Sequence, residues 1–239
     1  MPRYSANFNY FDEINTPNQA YWLGFIWADG YIGKRIREQK NGNKKIEYNL
    51  KLSLMEEDSF HVQKFLNDIN SNYLVNFYKT KGFSGEVNLE ARAFITNQHM
   101  CGFLYEELGI VPRRTDATNL ISHVPVALHK YFILGLFDAD GSFSAYQNDK
   151  YGEKLNISFG GSENVLRFIE NHLKDNHITT SKEEHHKLHQ RHKNADSEWR
   201  TLNYSGKRQG MNILNYLYDS PIYLDRKYQK FLDIPYYSN

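Results

Sequence analysis

Tyr21-Trp22-Leu23-Gly24-Phe25-Ile26-Trp27-Ala28-Asp29-Gly30 has a second version later in the chain, Phe132-Ile133-Leu134-Gly135-Leu136-Phe137-Asp138-Ala139-Asp140-Gly141. Each is an apolar run with a glycine four positions before an alanine, closing on Ala-Asp-Gly. Gly24 and Ala28, like Gly135 and Ala139, fall on one side of a helix and leave a narrow face without side-chain bulk. Two such faces can pack with their backbones close together. Packing accounts for the apolar residues, but not for an acid at the very end of both runs.

Thr16-Pro17-Asn18-Gln19 opens the first run with a capping box and a proline at the first helical position, which predicts a helix over 17–29. Gly30 is expected to stop that helix in the left-handed conformation. A hairpin follows, with strands over 31–39 and 45–54 turned at Asn41-Gly42. In it Ile46, Tyr48, Leu50, Leu52 and Leu54 alternate with polar residues and form the expected buried face. A helix over 57–69 carries Phe60, Phe65, Leu66 and Ile69 at helical spacing. Strands near 74–80 and 86–96 come next, then a helix over 100–108 stopped by Gly109. The same order recurs: helix 126–140, strands near 142–149 and 154–160 with Leu155, Ile157 and Phe159 inward, and helix 163–175. Strands near 180–190 and 199–205, turned by Lys193-Asn194-Ala195-Asp196, lead to a helix over 211–218.

The fold class is therefore α+β, two αββαββα repeats over 1–110 and 126–239, each with a four-stranded antiparallel sheet. Residues 111–125 show no periodicity and are expected to be a plain connector. The duplication extends to single residues. Leu52-Ser53-Leu54 matches Ile157-Ser158-Phe159, Asp29 and Asp140 lie 111 positions apart, and Arg114 and Lys227 lie 113 apart.

Composition narrows the setting. The 239 residues include 18 Tyr, 15 Phe and 3 Trp, a density of aromatics that belongs to a packed globule and not to a disordered chain. The single cysteine, Cys101, excludes an intramolecular disulfide and fits an intracellular, reducing compartment, whether cytoplasm, phage-infected cell or organelle. No apolar run is long enough to span a membrane. The start has no apolar h-region, so no secretory signal is expected. The net charge of +1 gives no general support for a nucleic-acid partner. Locally it is different: residues 31–53 hold Lys34, Arg35, Arg37, Lys40, Lys44, Lys45 and Lys51 against Glu38 and Glu47, an excess of five positive charges.

If the two helices pair in parallel about a pseudo-twofold axis, Asp29 and Asp140 end together. Each carboxylate then sits at the negative end of a helix dipole and beside a like charge. Hard divalent cations relieve that cost, and carboxylates with water are the ligands Mg²⁺ prefers. Metals held between two acids suit in-line phosphodiester hydrolysis. The competing reading, in which each Asp merely closes its helix through backbone hydrogen bonds, does not explain why the same end is used twice.

These two stretches resemble the LAGLIDADG motif of homing endonucleases, and the repeat layout resembles the single-chain, two-repeat branch, from about Tyr10 to Phe231. The second stretch is close to the family pattern. The first departs at Trp27, where the family often has Asp, but keeps the final acid. The resemblance implies a DNA-binding saddle of two sheets and a monomer that cuts both strands of a long, asymmetric duplex site across the minor groove, leaving 3′ overhangs. It implies metal binding by Asp29 and Asp140, with the backbone ligand at position 28 left open, and Mg²⁺ as cofactor, Mn²⁺ or Ca²⁺ substituting for binding. It also implies a basic residue late in each repeat, reaching the cleavage site. Arg114 and Lys227 occupy those places, and Arg at the first is a departure from the usual Lys. A polar residue at the end of the second strand often helps hold metal-bound water in the family; Glu56 is the nearest match, opposite Gly160-Gly161 in the other repeat.

The wet faces of the strands are the expected DNA-reading surface. Alternation assigns Arg35, Arg37, Lys45, Asn49, Lys51 and Ser53 to it in the first repeat, and Ser144, Tyr146, Asn148, Lys154, Asn156 and Ser158 in the second. His185, Lys187, His189 and Arg191 share a strand face and read as further DNA contacts. The spacing of His185, His186, His189 and His192 matches no zinc signature. The competing function class is an RNA maturase or DNA-binding regulator on the same scaffold, whose members often lose an acid that is kept here. An intein origin is disfavoured because the first motif begins so near Met1. The target sequence, metal count, strand order and host element, an intron or otherwise, stay open.

Overall fold

The structure, a computed structural model, describes residues 4–38, 42–82, 84–114, 116–148, 152–179, 189–190 and 199–234. The chain forms two compact units that do not follow chain order. One comprises Met1–Asn15 and Asp29–Arg114, the other Thr16–Ala28 and Thr115–Asn239.

In the first unit, β1 (Tyr31–Glu38), β2 (Lys44–Met55), β3 (Asn76–Lys81) and β4 (Val87–Thr96) form an antiparallel sheet in the order β1-β2-β4-β3. Its register brings Ile32 beside Leu50, and Leu50 beside Ile95, so the even residues of β1 and β2 and the odd ones of β4 share one face. That face is covered by α2 (Ser59–Asp68), which packs on β4 and β2, and by α3 (Met100–Glu106), which packs on β2 and β1. Tyr48, Leu50, Leu52, Ala91, Ala93 and Ile95 are buried there with Val62, Phe65 and Leu66 of α2. Each of those three α2 side chains contributes about 1.5–3 kcal/mol by leaving water. Three of the expected apolar positions are not buried, of which Leu54, near the end of β2, is half-buried. Ile46 is 39% exposed because it lies at the far end of the β1–β2 hairpin, and Phe60 is 78% exposed. On α2 the buried face runs instead through His61, Val62, Phe65 and Leu66.

The second unit repeats the plan. α5 (His129–Asp140), β5 (Ser142–Asn148), β6 (Gly152–Gly161), α6 (Glu163–Asp175), β7 (His189–Gln190), β8 (Arg200–Ser205) and α7 (Lys207–Tyr218) follow in order, with sheet order β5-β6-β8-β7. α6 and α7 pack on β6 and β8, and α5 packs on β6 and α7. Leu155, Ile157 and Phe159 face inward. The duplication reaches the packing of the last helix on the sheet. A Cβ on Gly102 of α3 would meet the Tyr48 ring at 3.4 Å, and one on Gly210 of α7 would meet Leu155 at 2.7 Å.

Two helices depart from the sequence expectation. α4 (Thr118–Ser122) lies in the stretch expected to be a plain connector, and α8 (Asp225–Leu232) adds a helix after α7. Both are short, and each buries one residue, Leu120 or Phe231, so neither has an apolar period to detect. The helix expected to start at 211 starts at Lys207, and the one expected from 126 opens with a 3₁₀ turn over Val126–Leu128. The strand expected over 180–190 is described only at His189–Gln190; Lys40, Asn41 and the turn at Lys193–Asp196 lie outside the described residues.

Candidate functional site

The opening helix α1 (Pro17–Asp29) starts on a closed capping box. The Thr16 N–H donates to Gln19 Oε1 at 3.0 Å and the Gln19 N–H donates to Thr16 Oγ1 at 3.3 Å. Ala20 through Trp27 are buried on every side, so the helix has no wet face. Within the second unit it crosses α5 at glycine. A Cβ on Gly24 would run into the Phe132 carbonyl and lie 3.2 Å from Leu136 N; one on Gly135 would run into the Tyr21 carbonyl and lie 2.8 Å from Phe25 N. Each glycine faces one turn of the other helix, Gly24 between Phe132 and Leu136 and Gly135 between Tyr21 and Phe25. Backbone meets backbone, and only glycine fits.

Asp29 is the last residue of α1 and Asp140 the last of α5, and the surroundings along the chain are the same. A half-buried alanine precedes each acid, the acid is exposed, and a buried glycine follows. The expected left-handed stop is not what ends these helices. Gly141 is extended at φ −81° and ψ 168°, and Gly30 is absent from the glycines of positive φ. Glycine is needed at 141 for closeness, since a Cβ there would lie 2.7 Å from the Phe137 carbonyl oxygen and against its ring. Gly109, by contrast, does stop α3 in the left-handed conformation, at φ +69°.

Arg114 and Lys227 go to corresponding places, each in its own unit. The Arg114 Nη2 donates to the Gly30 carbonyl at 2.9 Å, and its Nη1 to the Val111 carbonyl at 3.4 Å. The Lys227 Nζ donates to the Gly141 carbonyl at 2.6 Å and to the Phe137 carbonyl at 2.7 Å. In both halves a cation holds the carbonyl of the residue after the acid, at the helix end where a positive charge is favoured. Lys230, which the sequence reading did not single out, donates to the Phe143 carbonyl at 2.7 Å.

Asp138 was also missed as a site residue. It is fully buried on α5 and accepts from the Tyr21 hydroxyl at 2.9 Å, the Tyr218 hydroxyl at 3.1 Å and the Leu224 N–H at 2.7 Å. Burial pushes its carboxyl up to about 6, against the pull of the Lys227 charge and these hydrogen bonds. Its counterpart in the first stretch is Trp27. The conspicuous sign was that difference at one motif position, with nothing to say which groups Asp138 would serve.

On the first sheet the register puts Arg35, Arg37, Lys45, Asn49, Lys51 and Ser53 on the face away from α2 and α3, as alternation requires. Cross-strand pairing adds residues that were not anticipated there: Tyr31, Asn76, Tyr78, Arg92, Phe94 and Thr96. Arg92 stacks 4.3 Å from the Tyr78 ring centroid and donates to Ser53 Oγ at 3.0 Å. An open cleft of about 520 Å³ lies at this edge between Tyr4, Tyr73, Tyr78, Arg92 and Phe94. Part of the local charge excess is spent elsewhere, since Lys34 lies on the helix side and pairs with Glu106 at 2.7 Å, while Glu47 takes Arg37 at 2.9 Å. Glu56 is exposed at the start of a 3₁₀ turn, and Gly160 and Gly161 close β6.

On the second sheet Ser144 pairs with Asn156, Tyr146 with Lys154, and Ser158 with Asn203, so the assigned residues again share a face. Asn203, Ser205 and Thr201 join them from β8. Asn148 and His189 are placed as strand positions, with nothing described of their side chains; His185, Lys187 and Arg191 lie outside the described residues. Among the described residues no group of three or more His, Cys, Asp or Glu could hold a metal ion, and no helix is long and apolar enough to cross a membrane.

No protein-family model and no curated protein matches the sequence. Solved structures do match. The I-SmaMI LAGLIDADG homing endonuclease bound to cleaved DNA is 13% identical, with 92% of this chain and 88% of that one covered at a TM-score of 0.58. The I-LtrWI LAGLIDADG homing endonuclease bound to target DNA is 14% identical, with 94% and 89% covered at 0.54. The LAGLIDADG meganuclease I-AabMI bound to uncleaved DNA is 12% identical, with 91% and 89% covered at 0.52. I-SmaMI is also known bound to uncleaved DNA with calcium ions. At this level of identity the likeness establishes architecture: the chain has the fold of the LAGLIDADG homing endonucleases.

Proposed function

We propose that the protein is a site-specific, divalent-metal-dependent DNA endonuclease that acts as a monomer on a long, asymmetric duplex and cuts both strands across the minor groove, leaving 3′ overhangs. The observation that carries this is the repeated helix end: an exposed acid, then a glycine whose carbonyl is gripped by a cation, once with Arg114 and once with Lys227. The neighbours of the same fold are DNA-bound homing endonucleases, which favours this reading over a maturase or a regulator.

Asp29 and Asp140 are the proposed metal-holding pair. Their donor chemistry fits, since exposed carboxylates are hard oxygen ligands and leave coordination positions for water, as Mg²⁺ requires. A bound divalent ion supplies a water of lowered pKa and charge stabilisation at the phosphate. The rest falls to the chain. Lys227 and Arg114 face developing negative charge on the phosphates, and Lys227 alone of the two can also give or take a proton. The open faces of the sheets, with Arg35, Arg37, Lys45, Lys51 and Arg92 on the first, hold the duplex through phosphates and base edges.

Incubation with a randomised duplex library tests the proposal. Mg²⁺ is expected to yield cut ends with 3′ overhangs at one site, EDTA to abolish them, and Asp29→Asn and Asp140→Asn each to abolish double-strand cutting while binding persists. Enrichment of a sequence without cutting would make the protein a binder and sink the reading, as would full cutting by both variants.

A further inference from the structure

α8 begins with Leu224 as its N-cap, whose side chain makes no capping hydrogen bond. In a capping box the third helical residue reaches back and accepts the N-cap N–H. In α8 that residue is Lys227, which has three donors and no acceptor. The acceptor comes from another element: the Leu224 N–H donates to Asp138 at 2.7 Å. Lys227 is left to donate to the Phe137 and Gly141 carbonyls, one residue before and three residues after Asp138 on the chain. α8 is therefore attached to the end of α5 at two points, a backbone N–H on the buried carboxylate and an ammonium on two carbonyls. The hydroxyls of Tyr21 and Tyr218 hold that carboxylate in place. The first half is built differently. Trp27 stands where Asp138 would be, and Arg114 lies on no helix, follows Arg113 at φ +59°, and bonds the carbonyl of nearby Val111.

We infer that Asp138 is a positioning residue: it fixes the start of α8 and so holds the Lys227 ammonium on the Gly141 carbonyl beside Asp140, in the second half alone. Its effect on DNA rests on the nuclease reading; its effect on α8 does not. The experiment therefore has two arms. Hydrogen exchange on the free protein is the first. In Asp138→Ala, which leaves the Leu224 N–H without its acceptor, the amides at the start of α8, including the Tyr228 N–H bonded to the Leu224 carbonyl, are expected to exchange at least ~10-fold faster, with those of α5 unchanged. Tyr218→Phe, which removes one hydroxyl from the same carboxylate but keeps the acceptor of the Leu224 N–H, is expected to speed α8 by less than ~3-fold. Leu224→Pro removes the same hydrogen bond from the donor side at a compatible φ of −77°, and serves if the Ala variant does not fold. An α8 as protected in both as in the wild type overturns the inference.

The second arm uses a duplex selected from the library and labelled on each strand in turn. Asp138→Ala is expected to slow one strand by ~10-fold or more and the other by less than ~2-fold, so that nicked duplex accumulates, with binding in Ca²⁺ changed by less than ~2-fold. Equal slowing of both strands marks a general loss of structure and overturns the link to Lys227. If the wild type cuts no duplex at all, the nuclease reading fails, and the exchange arm still decides whether Asp138 positions α8.

Discussion

Arg114 and Lys227 end on the same atom in their respective halves, the carbonyl oxygen of the glycine after the acid, and they arrive there differently. Lys227 rides on a helix docked to a buried carboxylate; Arg114 follows a residue of positive φ in a segment with no helix. The sheets diverge in the same sense. The open face of the first carries Arg35, Arg37, Lys45, Lys51 and Arg92 among aromatics, whereas the described side chains on that of the second are hydroxyls and amides with Tyr146 and Lys154. Duplication kept the frame and the charge at each helix end, and left the means of support and the chemistry of each surface free to differ. Two unequal surfaces suit an asymmetric target.

The largest expected effect breaks the comparison at the cations. Lys227→Met should lower the cleavage rate by roughly 10²–10⁴-fold, because it removes a proton-transfer group as well as a charge. Arg114→Met should cost less, and Lys227→Arg, which keeps the charge, should recover only part. Single-turnover rates on the selected duplex decide it; equal losses at the two positions would mean that both act through charge alone.

Next comes the pair of small residues under the last helix of each repeat. Gly210→Ala puts a Cβ 2.7 Å from Leu155, Gly102→Ala one 3.4 Å from Tyr48. The first should cost about 1–3 kcal/mol by overpacking and the second less than that. Urea denaturation of both variants compares them, and a reversed order would show that the Leu155 side chain gives way freely.

The halves also differ in their histidines. Burial lowers His61 in the first unit to about 3 and His172 in the second to about 4, with nearby Lys64 and His129 adding to the effect. Both are depressed below the ordinary value of 6.5, so neutral imidazole is favoured in the fold. The stability this contributes is fully present above pH ~6.5 and is lost as pH falls toward 4. His61 alone should give a slope of up to about 1.4 kcal/mol per pH unit, and the more exposed His172 a smaller one. Denaturation midpoints at pH 7.5, 6 and 5 should fall in the wild type and fall less in His61→Gln.

The smallest effect separates the sheet faces. Replacing Lys51 or Arg35 by Ala should weaken DNA binding for all sequences and reduce the slope of log K against log salt by about 0.9. Asn156→Ala or Ser158→Ala should leave the slope alone and change base preference instead. A salt titration of Kd would reveal it.

Much of this was legible because it rests on local rules. Thr16-Pro17-Asn18-Gln19 specifies the start of α1, and the alternation of Tyr48, Leu50 and Leu52 specifies which face of β2 is wet. The acids and the late basic residues could be matched between the halves because each occurs twice. Ile46 and Phe60 were misread because apolar spacing says which residues share a face and not where the covering elements end. α8 was missed because half of it is charged. Asp138 could not be assigned a role because its three donors come from 117, 80 and 86 positions away; no local pattern carries such information.

The glycine crossing of α1 on α5 also sets an order of events during synthesis. Residues 16–28 belong to the same compact unit as 115–239, so a helix buried from Ala20 to Trp27 finds its backbone partner only after about a hundred more residues have been made. Contacts of such long separation slow folding. Until α5 emerges, α1 is a sticky segment that must be kept from other surfaces. A variant that loosens the crossing should therefore lower the yield of folded protein during expression before it alters the finished molecule.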